Sequence, residues 1–121
     1  EAIDAFLKSL RPIPGPPVDP AQAERGKAVF AKAECTACHT GDYYTNLLKY
    51  DVGTGIGREE GMEFDTPALN EIWRTAPYLH DGRSATLMDV ITVHNVDGRH
   101  GRTAGLPEQE LGDLAAYLQT L

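Results

Sequence analysis

Cysteine, histidine and basic residues are all scarce in this chain, and each shortage removes a class of function. Its 121 residues include two cysteines and four histidines. Two cysteines cannot build the disulfide framework of a small secreted scaffold. Outside one close cluster the histidines are His80, His94 and His100, which supply neither a second Cys-x-x-Cys pair nor a His-x-x-x-His pair. A four-ligand zinc site is therefore not expected. Eleven lysines and arginines stand against eighteen aspartates and glutamates, a net charge of −7. That balance, with no basic patch interleaved with aromatics, argues against nucleic acid and favours basic or neutral protein surfaces as partners. No apolar run approaches a bilayer span, and Glu1 opens the chain without the basic and then apolar stretch of a signal peptide. No membrane insertion is expected, and any targeting segment is expected to lie outside these residues.

What the chain does have is Cys35-Thr36-Ala37-Cys38-His39, two thiols three apart with a histidine directly after them. This is the attachment signature of a c-type haem. Placed on one helical turn, the two sulfurs reach the two vinyl groups of a porphyrin, and the adjacent imidazole of His39 reaches the iron as proximal ligand. A thioredoxin-like pair would follow a strand, whereas the residues before Cys35 read as a helix. One covalent haem c is expected, its two thioethers using both cysteines and leaving no disulfide. Because such attachment takes place beyond the cytoplasmic membrane in bacteria, the motif implies a periplasmic protein.

The hydrophobic fraction of 41% suits one core in one domain. Asp19 followed by Pro20, with Gln22 three residues after the cap, marks a helix start, and Gly26, Val29, Phe30 and Ala33 form one stripe. Pro107, Glu108 and Glu110 open a last helix whose apolar face is Leu111, Leu114, Ala115 and Leu118, with Tyr117 beside it. A glycine on one helix and an aromatic on the other predict a close crossing, with Gly26 and Phe30 meeting Leu114, Tyr117 and Leu118. The fold class is mostly α, with long loops and room for one short β-hairpin between Tyr50 and Phe64. Residues 1–10 repeat the pattern of the chain's end: Ala5-Phe6-Leu7-Lys8-Ser9-Leu10 parallels Ala116-Tyr117-Leu118-Gln119-Thr120-Leu121. The expected organisation is a closing helix of a preceding, similar domain at 1–10, a semi-rigid proline-rich linker at 11–20, and a haem domain at 21–121.

An N-terminal helix with Gly-x-x-x-Phe, then Cys-x-x-Cys-His, then a C-terminal helix ending in Tyr-Leu resembles the class I cytochrome c fold. A sharper likeness lies in Thr66-Pro67-Ala68-Leu69-Asn70-Glu71-Ile72, Arg74-Thr75-Ala76-Pro77-Tyr78-Leu79-His80-Asp81-Gly82 and Ala85-Thr86-Leu87. These stretches resemble the C-terminal domain of the bacterial di-haem cytochrome c peroxidases and their MauG-like relatives, over about residues 21–121. The resemblance implies an electron-transfer haem in a relay domain, with a redox protein or an adjacent haem domain as partner and a peroxide-reactive haem elsewhere in the parent. It also places Thr75 and Pro77 where backbone carbonyls help bind calcium between the two domains, so calcium stays open and unassigned. The alternative is that the chain belongs to a peroxidase or MauG-like oxidant and itself holds the reactive haem.

The distal ligand decides between relay and reaction. Thr86 and Asp89 stand in capping-box spacing, and Leu87, Val90, Ile91 and His94 recur on one helical face, which directs His94 to the core. In the resembling peroxidases that position carries the distal ligand, usually methionine, or tyrosine in the MauG-like branch, so His94 implies bis-histidine ligation. Met62 in the glycine-rich loop and Met88 are the alternatives, and His100, a tyrosine or an open position remain behind them. Phe30 and Pro77 are expected in the haem environment. Arg74 and Arg83 suit the haem carboxylates, which a guanidinium matches. His80 and Trp73 are read as structural.

Overall fold

The computed structural model describes residues 1–121 as four helices and a single two-stranded antiparallel sheet. The helices are α1 (Ala2–Ser9), α2 (Pro20–Lys32), α3 (Leu87–Ile91) and α4 (Glu108–Leu118), and the strands are β1 (Lys49–Tyr50) and β2 (Phe64–Asp65). The strands pair Lys49 with Asp65 and Tyr50 with Phe64, so the hairpin foreseen between Tyr50 and Phe64 is present. Long loops with short 3-10 turns connect these elements.

Local chemistry explains where α2 starts. The Asp19 carboxylate accepts from the Ala21 N–H at 3.1 Å, and Pro20 occupies the first turn, where a missing N–H costs nothing. Its stripe Gly26, Val29, Phe30 and Ala33 is buried throughout. The crossing with α4 is made at Gly26, where a Cβ would lie 1.9 Å from the Asp113 carbonyl oxygen and 2.7 Å from Tyr117 Cβ. No other residue permits that approach. Four positions along, the Phe30 ring meets Tyr117 edge-on with centroids 5.4 Å apart, and the two join Val29, Leu69, Ile91, Leu114 and Leu118 in one core.

The buried face of α4 is wider than the predicted stripe, for Asp113, Ala116 and Tyr117 are buried with Leu114 and Leu118. A buried carboxylate requires a partner. Arg25 supplies it in bidentate form, Nε donating to Oδ2 at 2.8 Å and Nη2 to Oδ1 at 3.0 Å. The hydrogen-bonded Arg25 guanidinium holds the Asp113 carboxyl below the usual carboxylate range, against an opposing desolvation. A carboxyl whose folded value is depressed stabilises fully above its ordinary value of about 4, and that contribution is lost as pH falls through the folded value. The thermal midpoint should therefore drop as pH is lowered below about 4, and Asp113→Asn should flatten that acid limb. Parallel midpoint curves for the two proteins would place the acid sensitivity elsewhere.

In α3 the capping box is formed: the Asp89 N–H donates to Thr86 Oγ1, and the Thr86 N–H to the Asp89 carboxylate, both at 3.1 Å. The helix then stops at Ile91. Thr92 leaves helical geometry and the His94 N–H reaches back to the Asp89 carbonyl at 3.0 Å. The face carrying Leu87, Val90 and Ile91 therefore ends before His94, which is where the structure departs from the periodicity. At the other end of the chain α1 buries nothing, with Ile3, Phe6 and Leu7 76%, 62% and 58% exposed. The proline-rich stretch after it is laid against the domain. The Ile13 N–H donates to the Glu71 carboxylate at 2.5 Å, and Gly15 sits so close to Gln119 and Trp73 that a Cβ would meet the Gln119 carbonyl at 2.0 Å.

Candidate functional site

A cleft of about 420 Å³ runs between α4, α3 and the long loops, with Phe30, Leu69, Ile91, Leu114 and Leu118 among its apolar walls. Cys35, Cys38 and His39 stand in one wall. Past the end of α2, Glu34 takes a left-handed conformation (φ 61°) and Cys35–Ala37 forms a tight 3-10 turn. The His39 N–H closes the turn on the Cys35 carbonyl at 2.9 Å. The two sulfurs are not joined to each other. Burial pushes the Cys35 thiol up to about 11, so at neutral pH it is protonated, the reverse of the depressed value that activates a redox Cys-x-x-Cys. His39 is half-buried, and its Nδ1 lies 2.9 Å from the Tyr44 carbonyl oxygen. A ring N–H donated to that carbonyl fixes the tautomer and leaves Nε2 as the free ligating atom. Desolvation lowers the pKa of His39, against the opposing pull of the Tyr44 and Pro67 carbonyls.

His100 faces it across the cleft, the two ring centroids 6.4 Å apart and the rings tilted by 40°. Imidazoles bound on opposite sides of one metal ion, each at a bond of about 2 Å, have ring centres about 6 Å apart. The observed spacing fits that arrangement. Burial, aided by the nearby His39, pushes His100 down to about 4, and its Nδ1 is buried without a hydrogen-bond partner. The loop that carries His100 comes in close because Gly101 is left-handed (φ 80°), where a Cβ would touch the Ala33 carbonyl oxygen at 3.3 Å and Cys35 Sγ at 3.4 Å.

The other residues singled out from the sequence divide by place. Phe30, Thr75, Pro77 and His80 line the cleft. His80 is stacked on Phe64, centroids 3.9 Å apart, with Nε2 3.0 Å from the Glu59 carboxylate. His94, Met62 and Met88 do not line it; Met62 is 49% exposed and Met88 packs against the core. Arg74 and Arg83 lie outside it too, paired with Glu71 and Asp81. Arg99 is the arginine that does line it, held by the Asp51 carboxylate, together with the buried Thr54. Trp73 is half-buried beneath the linker, its Nε1 without a partner. Periodicity could not find His100 or Arg99, because both sit in an irregular loop. The available signal was glycine, Gly98 and Gly101 bracketing them at positive φ.

Residues 23–121 match the cytochrome c family. The chain belongs to that family. Membership brings a covalently bound c-type haem and haem-based electron transfer, and the residues present fit the group: two thiols and an imidazole on one wall, a second imidazole opposite, and apolar sides. Among curated relatives, the gamma subunit of hydrazine synthase from Kuenenia stuttgartiensis is 50% identical over 68 residues, 54% of this chain and 19% of its own length. The methylamine utilization protein MauG of Methylorubrum extorquens is 32% identical over 84% of this chain and 35% of its own. The cytochrome-c peroxidase IdrP1 of Denitromonas iodatirespirans is 30% identical over 84% and 40%. The chain thus spans well under half the length of these relatives. A solved structure of Kuenenia stuttgartiensis hydrazine synthase under xenon pressure superposes with a TM-score of 0.79 at 29% identity, over 99% of this chain and 54% of that one. The resemblance to peroxidase and MauG-like proteins read from the Thr-Ala-Pro-Tyr-x-His-Asp-Gly stretch is therefore borne out, as is the cytochrome c fold. No helix of the chain is long and apolar enough to cross a membrane.

Proposed function

We propose that this domain is the electron relay of a longer, multi-haem, cytochrome c peroxidase-like protein, with His39 and His100 as the two axial ligands of a single haem tethered by Cys35 and Cys38. The observation that carries the reading is the facing imidazole pair, 6.4 Å between centroids, across a cleft with apolar walls. When bound, the haem supplies an iron that takes up and gives back one electron. His39, oriented by the Tyr44 carbonyl, and His100, neutral by burial, are both in the form that ligates. With both imidazoles holding the haem, a substrate would find no free place on it, and the potential would lie below that of a histidine–methionine pair. Arg99 and Thr54 are the cleft residues suited to haem carboxylates, in place of Arg74 and Arg83.

The exposed apolar face of α1 supports its assignment as the closing helix of a preceding domain, since a helix that buries nothing here has an apolar stripe to bury elsewhere. The linker pinned at Glu71 and Gly15 would hold that domain at a set distance rather than on a loose tether. The electron then passes to or from a redox protein or that neighbouring haem domain, in the periplasm, where c-type attachment takes place. The test is to mix the ferrous holoprotein with hydrogen peroxide in a stopped-flow optical experiment. A low-spin spectrum and no turnover are expected. Rapid oxidation with sustained peroxide consumption would instead make the domain a peroxidase or MauG-like oxidant in its own right.

A further inference from the structure

We infer that Asn95 is the positioning residue for His100, holding it at the distal side of the iron through its backbone; the inference rests on the axial pair proposed above. A ligating histidine is ordinarily oriented by what its second ring nitrogen donates to. His39 has such a partner in the Tyr44 carbonyl. The His100 Nδ1 has none, so the direction of its ring depends on how its main chain is held.

That main chain is held by one side chain. Asn95 is 1% exposed, and its Oδ1 accepts from the His100 N–H at 2.8 Å. Its Nδ2 spreads two hydrogens over three acceptors, the His100 carbonyl at 3.0 Å, the Gly101 carbonyl at 2.8 Å and Thr103 Oγ1 at 2.8 Å. The N–H and the C=O of His100 are thus gripped by the same amide. Thr103, 3% exposed, donates in turn to the Ile91 carbonyl at 2.5 Å, anchoring the grip to the end of α3. On the far side the Arg102 N–H donates to the Ala33 carbonyl at 2.8 Å, next to the cysteine turn. The loop is closed onto both walls of the cleft. A buried asparagine serving only the fold would not need to place its bonds on either side of the one residue that faces His39.

The test uses the matured holoprotein and carbon monoxide as the probe of an open iron position. Asn95→Asp keeps the acceptor for the His100 N–H but sets carboxylate oxygen against the two carbonyls. Thr103→Val keeps the shape and removes the hydroxyl, and Thr103→Ser keeps the hydroxyl. Ferrous carbon monoxide binding should accelerate about 10- to 100-fold in Asn95→Asp and by a smaller factor in Thr103→Val, the range seen when outer-shell partners of a metal ligand are lost. Both should also add a high-spin component to the ferric spectrum, and Thr103→Ser should return both readouts to wild type. If Asn95→Asp does not mature, the two Thr103 variants decide alone. Wild-type carbon monoxide kinetics and ferric spectra in Asn95→Asp and Thr103→Val, alongside an open iron in His100→Ala, would overturn the positioning role whatever their thermal stability. A His100→Ala protein that takes up carbon monoxide only as slowly as the parent would instead remove the axial pair itself, and the inference with it.

Discussion

His100→Ala is expected to turn a low-spin iron that takes up carbon monoxide and cyanide only slowly into one that binds both readily, while the haem stays covalently attached. In the proposed ligation, attachment and the first axial bond would depend on Cys35, Cys38 and His39, which lie in a separate turn held by its own hydrogen bonds. Removing the distal imidazole leaves those bonds untouched and takes away the one side chain that faces His39 from across the cleft at 6.4 Å. Ligand identity governs haem potentials over a range of about 0.8 V, so this single change should shift the potential more than a substitution of any cleft residue that does not itself hold the haem. His94→Ala is the necessary comparison. Because α3 ends at Ile91 and His94 is not among the residues lining the cleft, that variant should keep the low-spin spectrum and the slow uptake of the parent. An iron opened by His94→Ala and left closed by His100→Ala would reverse the assignment.

Gly26→Leu should abolish maturation, and even Gly26→Ala should destabilise the domain. A Cβ at 1.9 Å from the Asp113 carbonyl oxygen cannot be relieved by turning a side chain, because the atom it meets is backbone. The helices would have to move apart, loosening the edge-on Phe30–Tyr117 contact and the Arg25–Asp113 pair together. Overpacking alone costs about 1–3 kcal/mol, set against an improved helix propensity of about 1 kcal/mol and a total stability of roughly 5–15 kcal/mol. The same substitution in the same helix pair makes the control. Gly112 of α4 has nothing within 4 Å of its would-be Cβ, so Gly112→Ala should stabilise by about 0.5–1 kcal/mol. Chemical denaturation of the holoproteins measures both, and equal shifts at the two glycines would mean that the crossing is not held by contact at Gly26.

These two cases also mark what could be read from the sequence and what could not. The haem turn, the cap at Asp19, the capping box of Thr86 and Asp89, and the glycine crossing are all written in residues a few positions apart, so periodicity and local chemistry carry them. The burial of Asp113 was not legible, because its justification is Arg25 on another helix. The cleft wall opposite His39 was not legible for a related reason. Periodicity continued the α3 face to His94, but the chain leaves the helix at Thr92, and the residue that reaches the cleft, His100, comes in on a loop shaped by Asn95, Gly101 and Thr103. Those bonds span five to eight residues of irregular backbone, a spacing that no helical or strand pattern announces. Arg99 was hidden in the same loop. Arg74 and Arg83 flanked the motif in sequence, yet neither lines the cleft.

Low-temperature electron paramagnetic resonance of the ferric holoprotein tests the central claim most directly, since one spectrum reports the spin state and both axial ligands. Two imidazoles on the iron predict a low-spin spectrum with the wide anisotropy of bis-histidine haem, carried over unchanged into His94→Ala and lost in His100→Ala. A high-spin signal in the parent protein, or a histidine–methionine signature that survives the loss of His100, would contradict it.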